Sequence, residues 1–448
     1  MKVAIIGAGL SGLAAAHTLR RAGHEAVIYE ASDRAGGRGM LLNRPGTDDW
    51  ADVGSQYYHS NYKLGLKLID EVGLTPKLKK IGGYSRMYTG EGADSYKLNP
   101  SMPWMKTGGI LGNLKVAGYL ARLLLFHRSE TFAATPDQAV YDNRAALQST
   151  NDVFVRDHTV RMLSLIGGMS EPDAANINLL QIHRLAKIIM LTDYVSLEGG
   201  TARLHNVLAE QSDIRFGSAV RTLVETGGGV SGLELQNGDR VEADHVIVAA
   251  DAPGAAQIVP AGWTEERTFL DSVMMRPGYI ISFFLDHALE DGVWTYFFPF
   301  DREGPVSFCV DAHQKSPGNH PSGKATLQAW ILNPKAAALS DKTDEELAAI
   351  ALADISPMVK GVEGHVEAHA VTRHKGSVPQ SRVGHNAAAI AFLDAIDQRP
   401  GVTFCGDYFS GGYMESALWS VERAMPRIMS EAAQSNVRVL DANDKRAA

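Results

Sequence analysis

The chain has 448 residues, 45% hydrophobic and 21% charged, with 43 basic against 51 acidic side chains and a formal net charge of −8. That length accommodates two or three domains around a large core, and the acidic balance with no long basic run argues against nucleic acid as a partner. Cys309 and Cys405 are the two cysteines, too few for a disulfide framework and suited to a reducing compartment. An apolar strand beginning at residue 2 leaves no room for a signal peptide, so the expected location is cytoplasmic.

Val3–Ile6 is an apolar run that enters Gly7-Ala8-Gly9-Leu10-Ser11-Gly12. An alanine-rich helix is expected to about Arg21; Gly23 ends it, and a second strand, Glu25–Tyr29, finishes at Glu30. GxGxxG between strand and helix is the context a dinucleotide requires. Gly7 permits the tight turn, Gly9 lets backbone approach a pyrophosphate, and Gly12 brings the helix close to the strand. The helix N-terminus, with about half a positive charge, faces the phosphates. Glu30 stands where a carboxylate accepts both hydroxyls of an adenosine ribose and repels a 2′-phosphate.

The next run, Glu30-x-x-x-Arg34-x-Gly36-Gly37-Arg38, resembles the FAD signature of the superfamily of flavin-containing amine oxidases, protoporphyrinogen oxidases and phytoene desaturases. The resemblance implies an α/β fold: a Rossmann-like FAD-binding domain of the glutathione reductase type, with an inserted α+β substrate domain. It places Gly37 in a turn under the cofactor and Arg38 against the diphosphate, with Leu10, Ser11 and Ala31 among the contacts. Read from the residues alone, an NAD-type unit followed by a Gly/Arg surface loop is the alternative. Asp52-x-Gly54-Ser55-Gln56-Tyr57 resembles the loop beneath the flavin in that superfamily, although a plain polar turn also accounts for Gly54-Ser55.

From about Leu64 to Asp193 the pattern is mainly helical, with little strand signal after Tyr96. Gly109–His127 is mostly apolar but carries Lys115 and Arg122, seven apart and so on one helical face. It is too short and too charged to span a bilayer. It reads as a substrate-domain helix, with an interfacial helix admitting apolar substrate or quinone, and hence peripheral membrane contact, as the sharper alternative.

Character changes at Glu198-Gly199-Gly200-Thr201. A helix is expected over Ala202–Gln211, then strands over Ser218–Val224, Val230–Gln236 and Ala243–Ala250. Gly227-Gly228-Gly229-Val230-Ser231-Gly232 fits GxGxxG formally, but a strand follows, so no helix N-terminus is available and the run reads as a hairpin. No second nucleotide module is then visible. The order again resembles the superfamily, which implies that Val220 touches adenine through its backbone and that Ala250 ends the strand before the chain crosses out.

Strands dominate from Met275 to about Val371: Tyr279–Leu285, Trp294–Pro299, Val306–Asp311, Ala325–Leu332 and His365–Val371, with one helix over Thr343–Ile355. They match the floor of the superfamily's substrate domain. His365 and His369 lie four apart on a strand, about 13 Å, so no metal site is expected.

Gly401–Met425 is the second strong signal. A strand, Val402–Cys405, ends at Gly406-Asp407, and a helix starts near Met414. Gly412-Tyr413-Met414-Glu415-x-Ala417 resembles the amine-oxidase form. This implies ribityl contacts from Gly406 and Asp407, flavin contacts from Met414, Glu415 and Ala417, and Tyr413 as one wall of an aromatic cage. Two departures stand out. The lysine usual near flavin N5 is missing from the strand Tyr279–His287, which has Phe284, Leu285 and Asp286; and 374–379 (HKGSVP) holds neither the second cage residue nor the cysteine of covalent attachment. FAD is therefore expected to be non-covalent. Val378-Pro379-Gln380-x-x-Val383-Gly384-His385 resembles the protoporphyrinogen oxidase version, with His374 where that group often has tryptophan.

The resemblance touches both ends and the middle, about half of the chain. It implies two-electron dehydrogenation of a small molecule by hydride transfer to flavin N5, with O2 or a quinone as acceptor. The absent lysine and incomplete cage tilt the expectation toward C–C desaturation of an apolar substrate, cyclic ones included. Amine C–N oxidation is the alternative. A non-catalytic binding protein on the same fold is a second one, against which the intact cofactor motifs argue. Tyr413 and His374 are the catalytic candidates, Tyr413 by packing on flavin or substrate and His374 as a base or a structural histidine. The expected division is a discontinuous FAD domain (1–62, 196–265, 385–435), a substrate domain (63–195, 266–384) and a frayed polar tail (436–448).

Overall fold

A computed structural model describes residues 1–89, 95–98, 104–125, 131–169, 175–190, 192–289, 292–299, 302–316 and 318–447. Strand β1 (Lys2–Ile6), helix α1 (Leu10–Arg21) and strand β2 (Glu25–Tyr29) open the chain as the glycine spacing requires. They join β3 (Asp213–Arg215), β4 (His245–Val248) and β5 (Val402–Phe404) in a parallel sheet of order β3-β2-β1-β4-β5. The central strands β1, β2 and β4 are mostly Val, Ile and Ala because both of their faces are covered. Side chains alternate accordingly: Val3 and Ile5 pack with α1 and the last helix, whereas Ala4 and Ile6 pack with the Gly227 hairpin sheet and the helix His385–Asp397. The hairpin has a strand, Gly229–Leu235, directly after its glycines.

A second sheet has seven strands, in the order Val366–His374, Gly278–Leu285, Ala325–Leu332, Phe308–Asp311, Val293–Phe297, Tyr84–Tyr88 and Ser95–Leu98. Its last two strands come from the segment read as mainly helical, and Tyr84–Tyr88 joins parallel to Val293–Phe297. On one face Ile281, Leu327 and Ile331 pack against Leu347, Ala351 and Ile355 of the helix Asp344–Ile355. On the other face Phe297, Phe308 and Trp330 are successive cross-strand neighbours, an apolar floor for the space above.

A helical layer stands over that floor. Helix α2 (Lys63–Glu71) leads into it, and α3 (Gly109–Leu125) buries Val116, Leu120 and Leu123 against Leu179–Met190 and Val153–Ile166. Phe126 and His127 of the expected helix lie outside the described residues. The tail corrects the expectation of fraying: the last helix runs from Met414 to Ala447. Beyond Pro426 it meets neither proline nor glycine, so no breaker stops it.

Candidate functional site

The C-terminal edge of the parallel sheet and the floor of the second sheet open into one groove of about 1260 Å³. Its dinucleotide end lies where β1 separates β2 from β4, the switch point at which open α/β sheets bind ligands. The sequence forces the close approaches there. Gly7 has φ +100°, and a Cβ on it would sit 2.9 Å from the Ala249 carbonyl oxygen; one on Gly12 would sit 2.0 Å from that of Gly7. A Cβ on Gly9 meets nothing within 4 Å, so this glycine faces the open groove. Glu30 follows β2 and lines this end of the groove, with Oε2 accepting from the Ala8 amide at 2.7 Å and Oε1 from Ser32 N at 2.9 Å.

The Gly36-Gly37-Arg38 turn lies against two other motifs. A Cβ on Gly54 would fall 1.8 Å from Arg38 O, and Ser55 N donates to that oxygen at 3.0 Å. Arg38 itself reaches the closing segment, Nη2 donating to Asp407 Oδ1 at 2.8 Å and Nη1 to Ser377 O at 2.9 Å. Gly412 packs against side chains instead, where a Cβ would lie 2.2 Å from Val378 Cγ1.

The groove thus brings together Gly7, Gly9, Leu10, Ser11, Glu30, Ala31, Gly37, Arg38, Gly54, Ser55, Gln56, Tyr57, Val220, Ala250, Gly406, Asp407, Met414 and Ala417, with His374 and Tyr413. Glu415 is the correction. It does not line the groove; its Oε1 and Oε2 accept from the amides of Leu64 and Gly65 at 2.7 and 2.8 Å, capping α2. A carboxylate buried one residue behind the groove finds the free N–H groups of a helix start first. Burial nevertheless raises its pKa.

The other end is mostly apolar, with Asn113, His158, Thr159 and Gln181 among its polar lining. Its walls include Met87, Trp104, Leu163, Ile188, Phe297 and Phe308, and the only acidic residues lining the groove, among those described, are Glu30, Asp251 and Asp407 at the dinucleotide end. Phe308 stacks on Trp330 at 5.2 Å. Between the ends stands an aromatic cluster: Tyr57 meets Tyr194 edge-on at 5.0 Å and Trp294 at 6.0 Å, with His59 5.3 Å away. Burial pushes the Tyr57 phenol up to about 12 and the His59 imidazole down to about 3, so both are neutral at physiological pH.

Tyr413 immediately precedes the last helix and meets Phe132 edge-on at 5.9 Å. Its hydroxyl is buried with no hydrogen-bond partner among the described residues, and burial raises its pKa well beyond a normal phenol. His374 ends its strand with Nε2 donating to Val53 O at 2.7 Å, and burial lowers its pKa. Sequence reasoning missed Lys315. It is fully buried, Nζ donating to Asp52 Oδ2 at 2.9 Å and to Gln56 O and Oε1 at 3.0 Å each. Asp52 Oδ1 accepts from Thr201 N and Oγ1. Lys315 thereby anchors the Gln56 loop from the substrate side; an isolated lysine after a strand gives no signal for that. Away from the groove, His365 meets Asp286 and His287 in an exposed group rather than His369.

The residues fit a flavin dinucleotide: the Gly7–Gly12 turn is packed too tightly for a Cβ at either of those two positions, Gly9 leaves its backbone open to the groove, and the volume exceeds the roughly 300–1,000 Å³ of single-ligand pockets. The profile of the flavin-containing amine oxidoreductases matches residues 10–428. The chain belongs to that family. It is an oxidoreductase, and its cofactor is a flavin. Among curated relatives of this flavin oxidoreductase, coproporphyrinogen III oxidase of Bacillus subtilis (strain 168) is 26% identical over 475 residues, covering 91% of this chain and 94% of the relative. Zeta-carotene desaturase of Solanum lycopersicum is 24% identical over 315 residues, 62% of this chain and 52% of its own length. The structure of cyclohexylamine oxidase from Brevibacterium oxydans IH-35A superposes with a TM-score of 0.76 at 21% identity, over 96% of this chain and 99% of that one. Among the described residues no helix is long and apolar enough to cross a membrane.

Proposed function

We propose that this flavin oxidoreductase binds FAD without a covalent bond and desaturates a C–C bond of a neutral, apolar small molecule. The observation that carries this reading is the substrate end itself, mostly apolar and without a carboxylate among its described lining residues. An alkylammonium ion there would lose its hydration with no counter-charge, a cost that contacts with Tyr or Trp faces offset only in part. The name of one relative, a carotene desaturase, fits an apolar substrate. Cys309 and Cys405 are both buried and neither lines the groove, which supports non-covalent binding and a cytoplasmic location.

FAD, when bound, supplies two-electron acceptance, with O2 or a quinone as the final acceptor. The chain's own residues do the rest. Phe297, Phe308 and Trp330 exclude water and hold the substrate plane. The unpartnered Tyr413 hydroxyl offers a donor to a substrate carbonyl or π system. His374, kept neutral by burial and oriented through Nε2–H on Val53 O, leaves Nδ1 to take up the proton released at the neighbouring carbon.

Amine C–N oxidation is the second reading, favoured by the wall of Tyr57, Tyr194 and Trp294, which lines the same groove as Tyr413. Anaerobic bleaching of the purified yellow protein decides between them. Cyclic ketones and polyenes are expected to bleach the flavin and amines to leave it oxidised; the reverse establishes C–N oxidation. A colourless protein that refuses FAD establishes the non-catalytic reading instead.

A further inference from the structure

Helix α3 is a wall of the groove and an outer surface at once. Val116 and Leu120 are buried and line the groove, and Leu114 and Ala117 line it from exposed positions. Its outer face is apolar from the first turn to the last: Ile110 is 73% exposed, Leu111 67%, Leu114 62% and Leu125 76%, with Trp104 just before the helix at 55%. A soluble face of this length normally carries polar residues of both signs. Among the described residues the charges on α3 and in the turn before it are Lys106, Lys115 and Arg122, all exposed; α3 contains no Asp or Glu, and the acidic neighbour is Asp152. Lys115 pairs with Asp152 at 2.7 Å; Lys106 and Arg122 stand on a chain whose overall charge is −8.

We propose that α3 seats this protein on the surface of an anionic lipid bilayer, where the substrate end of the groove opens to the lipid. An apolar face flanked by basic side chains is the pattern of a helix lying in the headgroup plane, its apolar residues reaching about 5–10 Å inward. Each basic residue adds about a fivefold preference for a negatively charged leaflet. Seventeen residues span about 25 Å, less than the roughly 30 Å hydrocarbon core, so α3 lies on the bilayer and does not cross it. Leu114, Ala117 and Trp104 both face outward and line the groove, which puts its mouth at the lipid contact. The delivery of substrate through that mouth rests on the apolar-substrate reading above; the docking does not.

The test is cosedimentation of the FAD-loaded full chain with vesicles of phosphatidylcholine alone and of phosphatidylcholine mixed with phosphatidylglycerol, at low and high salt. The wild type is expected to pellet with the mixed vesicles, and salt to weaken the binding. The triple variant Ile110→Ser/Leu111→Ser/Leu125→Ser, whose residues do not line the groove, is expected to bind at least about tenfold more weakly. Lys106→Glu/Arg122→Glu is expected to lose the preference for phosphatidylglycerol while keeping its flavin absorbance and melting temperature, so a fold defect in the first variant leaves the second to decide. Wild-type binding to neither vesicle, or equal binding by wild type and both variants, overturns the proposal. So does a dimer in sedimentation velocity that the triple variant loses, with no vesicle binding, because the face then belongs to a second copy. No substrate enters the assay, so its failure and that of the bleaching screen are separable.

Discussion

At the dinucleotide end the groove is walled by backbone, with Gly7, Gly12 and Gly54 standing where a Cβ would strike a carbonyl oxygen, and by the charge pair of Arg38 and Asp407. At the substrate end it is walled by side chains from many elements, Met87 and Phe297 from strands and Leu163 and Ile188 from helices. The first wall fixes one ligand shape, since a backbone approach tolerates no substitution. The second can be re-lined residue by residue without disturbing the sheet beneath it. A family built this way keeps its cofactor and varies its substrate.

Lys315 joins the two ends, and removing it is expected to have the largest effect. Lys315→Met leaves the Asp52 carboxylate buried without its cation, a loss of about 3–5 kcal/mol in denaturant unfolding. An unchanged midpoint would separate the two ends energetically. Arg38→Met acts on the cofactor end alone: about thirtyfold weaker FAD binding, or about 2 kcal/mol, in fluorescence titration of apoprotein. Phe308→Ala is the counterpart on the substrate floor, with flavin content unchanged and kcat/KM about tenfold lower for an apolar substrate.

The aromatic boundary gives a pH test. The His59 imidazole, held near 3 in the fold against an ordinary 6.5, binds fewer protons folded than unfolded. Stability is therefore full above pH 6.5 and falls as pH drops toward the folded value, by about 1 kcal/mol between roughly pH 6 and pH 5. His59→Asn is expected to flatten that part of the profile relative to wild type. The smallest effect is that of Tyr413→Phe: full FAD content and about a threefold change in turnover, since it removes one hydroxyl and leaves the ring. Unchanged kinetics on every substrate would remove Tyr413 from the chemistry.

The same contrast decides what was legible in the amino-acid sequence. Gly7, Gly9, Gly12, Gly37 and Gly54 could be read because glycine at a fixed spacing has few uses other than a turn or a close approach. Tyr194, Trp294 and Phe308 could not, because an aromatic residue in an apolar strand looks the same whether it faces the core or a ligand. The absent lysine of the strand before His287 was legible as an absence. Lys315, after a different strand, is buried on Asp52 and Gln56 behind the groove, a placement that only the tertiary register reveals. Glu415 was misplaced because a motif gives spacing but not side-chain direction, and its carboxylate turns to α2.

Arg38 and Asp407, paired at 2.8 Å, stand far apart in the order of synthesis. At about 5–20 residues per second, translation separates the first glycine turn from the closing helix by roughly 20–80 s. Throughout that interval the nascent chain displays half a groove and most of its apolar floor. Flavin capture therefore waits until the closing segment has been made, and a shortage of cofactor during growth leaves a polypeptide with its groove built but unfilled, exposed to chaperones and proteases.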